Sequence, residues 1–150
     1  MGFNLDYEEM VLLDAEDLAE GGIKSAYNSL LPALRSYVSS PDEILENLDE
    51  NSGNYTVSSG GEVYQICGQN SADDEGQSWG AATFALFSIV NKQLENSEYK
   101  FYAINGGNDL GGLFLTSEQA ISCRSTLPRQ ADWPYIPTNE HPWYGMFHED

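Results

Sequence analysis

Lysine and arginine are nearly missing from this chain. Six of 150 residues carry a side-chain cation against twenty-four carboxylates, for a formal charge of −18. Between Ser36 and Asn91 there are nine carboxylates and no Lys or Arg at all. Such a chain is repelled by a phosphate backbone, which argues against direct binding to nucleic acid. Cysteine is scarce too. Cys67 and Cys123 stand alone, neither in a C-x-x-C pair. In a cytosolic chain two isolated thiols read first as small buried hydrophobes, although a bridge between them stays open. Long apolar runs are also lacking. The longest, Ala81–Val90, is broken by Thr83 and Ser88 and falls far short of the ~20 residues that a membrane span needs. The opening MGFNLDYEEM has neither the basic nor the apolar region of a secretory signal. A cytoplasmic protein with no membrane partner is the expectation.

What is present is enough for a core. Apolar residues make up 41 % of the chain and aromatics 12 %, too much for a disordered acidic tail. The length suits one domain spanning residues 1–150. Charge is distributed unevenly along it. Residues 1–91 hold sixteen carboxylates against Lys24 and Arg35, which places −14 of the −18 there. Like charges repel in the compact state, so the imbalance does not serve the fold. A basic partner surface would favour it. Carboxylates with interspersed tyrosines suit contact with Lys- and Arg-rich protein. The candidate binding face comprises Asp42, Glu43, Glu46, Asp49, Glu50, Asp73, Asp74 and Glu75, with Tyr55 and Tyr64 as candidate aromatic anchors.

Local patterns sketch an α+β chain. Asp14 is placed to cap a helix from Ala15, and apolar residues then recur at a period near 3.6 as far as Val38. Gly21-Gly22 and Pro32 should bend or divide that helix. Asp42–Asn54 reads as an acidic connector with a helical turn around Ile44–Leu48. Tyr55–Ser58 and Glu62–Cys67 alternate as a hairpin about Ser59-Gly60-Gly61. Ser78 is the expected N-cap of an apolar helix from Trp79 to about Glu95. Tyr99–Asn105 and Leu110–Leu115 form a second expected hairpin, and Thr116-Ser117-Glu118-Gln119 has capping-box spacing for a short helix to about Ser125. The prolines and aromatics after Leu127 predict an extended segment. The expected architecture is an antiparallel sheet of two or more hairpins against about three helices, with this C-terminal segment wrapping the core.

Catalytic and metal signatures are weak. No G-x-S-x-G elbow, H-E-x-x-H, Walker loop or dinucleotide fingerprint occurs. Cys67 or Cys123 with His141 is a conceivable Cys–His pair for a hydrolase or transferase, but neither cysteine has supporting local context. Asp73-Asp74-Glu75-Gly76 fails as a calcium loop, because Gly76 at position six puts Ser71 and Ala82 where acidic ligands belong. Gly106–Gly112 separates two strands instead of opening a helix, so it reads as a hairpin turn and not a phosphate cradle. No catalytic residue, metal or cofactor is expected.

One further pattern is informative. Ser78-Trp79-Gly80 leads into an apolar helix, followed by Phe101-Tyr102-Ala103-Ile104-Asn105-Gly106-Gly107-Asn108-Asp109-Leu110-Gly111-Gly112-Leu113-Phe114-Leu115-Thr116, then Asp132-Trp133-Pro134-Tyr135 and Pro142-Trp143-Tyr144-Gly145. This resembles bacterial immunity proteins of contact-dependent growth inhibition and related polymorphic toxin systems. The resemblance covers roughly Ser78 to Gly145, under half of the chain. It implies a cytoplasmic toxin inhibitor without catalysis, binding the C-terminal domain of its cognate toxin. Many such toxins are nucleases with basic grooves, which an acidic surface would cover. The alternatives are the Cys/His enzyme and an acidic nucleic-acid mimic acting as an adaptor.

Overall fold

The computed structural model describes residues 10–49, 54–67, 75–104, 110–126 and 133–137, and only the backbone at 49, 54, 67, 75–80 and 124. After a two-residue strand β1 (Val11–Leu12), the side chain of Asp14 accepts the Glu16 N–H at 2.9 Å and starts α1 (Ala15–Asp17). The helix then breaks at a kink within Leu18–Gly22, where Glu20 and Gly21 leave helical geometry and Gly21 adopts φ +96°. Only glycine enters that region without a steric penalty, so the expected break at Gly21-Gly22 falls where the backbone requires it. Helix α2 (Ile23–Leu34) follows, with Pro32 near its end.

Two antiparallel three-stranded sheets come next. One has the order β2-β3-β4, from Leu45–Asp49, Asn54–Ser59 and Glu62–Cys67. The other has the order β1-β6-β5, with β5 at Tyr99–Ile104 and β6 at Gly111–Thr116. Both expected hairpins are present. Gly60 and Gly61 turn the first at positive φ, as a two-residue hairpin loop prefers. The α+β reading holds, with the hairpins divided between two sheets.

Strand β2 corrects one expectation. Leu45–Asp49 is not a helical turn but an edge strand paired with β3 from Leu45↔Ser58 to Asp49↔Asn54. Ile44, Leu45 and Leu48 mimic a helical spacing, yet only Ile44 is buried, and the ladder to β3 decides the conformation.

Helix α3 (Glu75–Gln93) packs against both sheets, touching β4 of one and β5 of the other. Ala82, Thr83, Ala85, Leu86, Phe87, Ile89 and Val90 are all buried, the pattern of a helix enclosed on most sides. It begins at Glu75, one turn before the expected start, so Ser78 lies inside the helix and is not its cap. Two amides tie its last turn to its surroundings. Asn91 donates from Nδ2 to the Phe101 carbonyl at 3.0 Å and accepts the Phe101 N–H on Oδ1 at 2.7 Å. Gln93 Oε1 accepts the Asp42 N–H at 2.8 Å, while its Nε2 donates to the Tyr27 hydroxyl at 3.0 Å.

Phe101 also centres an aromatic row. Its ring lies 4.6 Å from Phe87 and 4.7 Å from Phe114, which continues to Tyr37 at 4.8 Å. The ring rests over Gly112 of β6, where an added Cβ would fall 2.3 Å from it. The capping box of α4 (Ser117–Thr126) is complete: Gln119 N–H donates to Thr116 Oγ1 at 3.1 Å, and Thr116 N–H donates to Gln119 Oε1 at 3.0 Å. Tyr135 pairs with Ala103 on the outer edge of β5 through bonds of 2.7 and 3.0 Å. The rest of the expected C-terminal wrap, with Trp143 and Tyr144, lies outside the described residues.

Gly112→Ala should lower stability by about 1–3 kcal/mol, because Phe101 must leave its stacked position. Urea unfolding measures this, and Phe101→Leu in the Gly112→Ala background should restore part of the loss.

Candidate interaction surface

The loop from Val38 to Ile44 positions the first predicted residues. Ile44 is buried and anchors it. The Asp42 carbonyl accepts the Tyr27 hydroxyl at 2.6 Å, and its N–H is held by Gln93, so the backbone is fixed while the side chain remains exposed. Burial pushes the Tyr27 phenol up, against the lowering effect of the Gln93 bond, and the Asp42 carboxylate adds to the rise. Tyr27 is therefore a protonated donor at neutral pH. Glu43 is exposed beside Asp42.

Glu46 has a second task. Its Oε2 accepts the Tyr55 hydroxyl at 2.5 Å and the Lys24 N–H at 3.3 Å, while the Tyr55 oxygen accepts the Ile23 N–H at 3.1 Å. Ile23 and Lys24 open α2, whose N-cap Gly22 has no side chain to bond them. A carboxylate and a phenol from the β2-β3-β4 sheet thus satisfy helix donors that the local sequence leaves without partners, and the negative charge suits a helix N-terminus.

That arrangement corrects the reading of Tyr55. It is 1 % exposed and belongs to the core, so it is not an aromatic anchor for a partner. Strand register is the reason: Tyr55 lies opposite Leu48 and shares the inward face with Val57. Tyr64 is half-buried, edge-on to Phe84 at 6.2 Å. Its phenol is raised by burial and then by the Glu62 carboxylate, with Lys92 opposing.

The remaining predicted residues divide. Asp49 ends β2 and Glu75 opens α3, with their side chains outside what is described. Glu50, Asp73 and Asp74 lie outside the described residues altogether. The structure brings Asp42 and Glu43 to the turn end of the β3–β4 hairpin, since a Cβ on Gly60 would stand 3.2 Å from Asp42 Oδ2. Glu62, which composition alone did not single out, joins them there and pairs with Lys92 at 3.2 Å. A second acidic feature was also missed. An open groove of about 490 Å³ runs beside the Glu20-Gly21 kink, lined in part by Leu12, Asp14, Asp17, Glu20 and Ser25. The sequence signal available was the break at Gly21-Gly22, which Asp17 and Glu20 precede.

Among the described residues no group of three or more His, Cys, Asp or Glu side chains is placed to hold a metal ion, and no helix is long and apolar enough to cross a membrane. Cys123 is buried, and burial raises its thiol pKa, the reverse of an activated nucleophile. His141 lies outside the described residues.

No protein-family model matches the chain, and no curated protein or solved structure is significantly similar to it.

Tyr55→Phe should cost about 1–3 kcal/mol, because the Ile23 N–H loses its acceptor in a buried setting. The urea midpoint should fall, while binding of any partner to the folded protein should be unchanged.

Proposed function

We propose that this chain is an immunity-type inhibitor that binds a cognate toxin domain through an acidic surface, covering the basic groove of a nuclease. The observation that carries the proposal is the charge distribution on an ordered fold. Residues 1–91 have sixteen carboxylates against two cations, and Asp42, Glu43 and Glu46 are exposed along one edge of a sheet. The resemblance of Ser78–Gly145 to immunity proteins points the same way.

The physical account is short. A concentrated negative field steers a basic partner and raises the encounter rate, most strongly at low salt. A few desolvated contacts then supply residence time. In this reading the inhibitor performs no chemistry: it occupies the site where phosphate would bind. Asp42 and Glu43 suit the steering role, because their carboxylates project from a backbone held by Tyr27 and Gln93. Glu46 contributes field as well as holding α2, so its replacement conflates binding with folding.

A pull-down from cells carrying the native gene neighbourhood should return a small basic toxin domain at stoichiometric yield. An empty column, with a neighbouring toxin expressed, would overturn the proposal. With that toxin purified, Asp42→Lys with Glu43→Lys should slow association by about tenfold at low salt and change dissociation far less. Stopped-flow kinetics across a salt series checks it.

A further inference from the structure

The outward face of the β2-β3-β4 sheet stands apart from the acidic chain around it. Register sets Leu45, Ser58 and Val63 abreast in one row across the three strands, and Asn47, Thr56 and Gln65 abreast in the next. None of these six side chains is charged. Leu45 is 62 % exposed and Val63 71 %. The opposite face is the packed one, where Tyr55 and Val57 are buried in the same core as Ala85, Leu86 and Val90 of α3. Two aliphatic side chains therefore stand in solvent on either side of a small serine. Carboxylates border this row: Glu43 lies two residues before Leu45, and Asp42 reaches the Gly60 turn.

We infer that this outer sheet face is the centre of a docking surface for a basic protein. Apolar side chains of the partner seat on Leu45 and Val63, and lysines or arginines beside them meet Asp42 and Glu43. The inference rests on the inhibitor reading above and adds to it the place of contact and the character of the partner.

Charge complementarity selects this occupant. A second copy of the chain would bring two rims of carboxylates together, each on a molecule of −18. Nucleic acid and anionic lipid repel the same rim. A basic protein satisfies both parts at once, since an uncharged centre and a charged border match the usual arrangement of interfaces. Size requires the border as well. Three strands about 4.8 Å apart and five residues at about 3.3 Å each cover roughly 250 Å², well below the ~800 Å² per partner of a standard interface. The acidic loop before β2 must be part of the footprint.

The test uses the full chain, labelled with ¹⁵N, and two synthetic peptides of equal length and charge, one alternating Lys with Leu and one alternating Lys with Ser. The Lys–Leu peptide should shift the amide signals of Leu45, Ser58 and Val63 and bind about tenfold more tightly than the Lys–Ser peptide. Leu45→Ser with Val63→Ser should remove that advantage while leaving the melting temperature within about 2 °C, because both side chains are exposed. Equal binding of the two peptides overturns the inference, as do shifts confined to another face or an advantage that survives the double substitution. A concentration-dependent dimer abolished by the same double substitution would also overturn it, in favour of self-association. Neither peptide is a toxin, so failure of this titration and failure of the pull-down are separate results.

Discussion

Two side-chain amides, Asn91 and Gln93, hold together what the backbone keeps apart. The two sheets share no strand, and each has its own hairpin. Helix α3 packs against both, and its apolar surface supplies contact area without direction, because hydrophobic burial is not oriented. Direction comes from the last turn. Asn91 bonds both backbone groups of Phe101, which sets the helix against β5, and Gln93 joins Tyr27 of α2 to the loop that feeds β2. An amide can donate and accept at once, which a carboxylate cannot do. In a chain so rich in acids, these neutral groups occupy the junctions where an unpaired charge would be most costly.

A third joint works differently. Glu46 and Tyr55 reach from the β2-β3-β4 sheet to the first N–H groups of α2, directly after a kink that ends on glycine. The break in the helix and the sheet that repairs it are thus one feature. It also explains why an acid on an exposed edge has a structural role as well as an electrostatic one, while Asp42 holds its loop through its main-chain N–H and carbonyl.

How much was legible in the sequence follows from how local each cause is. The capping box at Thr116–Gln119, the Asp14 cap, the Gly21-Gly22 break and the glycine-turned hairpin depend on neighbours a few residues away, and all were readable. Strand β2 was not, because Leu-Glu-Asn-Leu-Asp has little strand preference of its own and takes its conformation from pairing with β3. The start of α3 was misplaced for a related reason: Ser78 looks like a cap only if the acidic residues before it are taken as loop. Within the site, alternation in Tyr55–Ser58 was evident, but alternation does not say which face is inside. Tyr55 went to the core, and Leu45 and Val63, which no acidic or aromatic criterion would choose, went to the solvent.

The two sheets also differ in how far apart in the chain their strands lie. One is complete within residues 45–67, whereas the other needs β1, at Val11–Leu12, to meet β6, at Gly111–Thr116. Closing a loop of that length brings a larger entropy cost than closing a hairpin. During synthesis β1 leaves the ribosome first and waits for its partner strand until nearly the whole described fold has been made. The local sheet can form on the growing chain, but the other gains its third strand only at the end, so sheet closure reports that translation has passed β6.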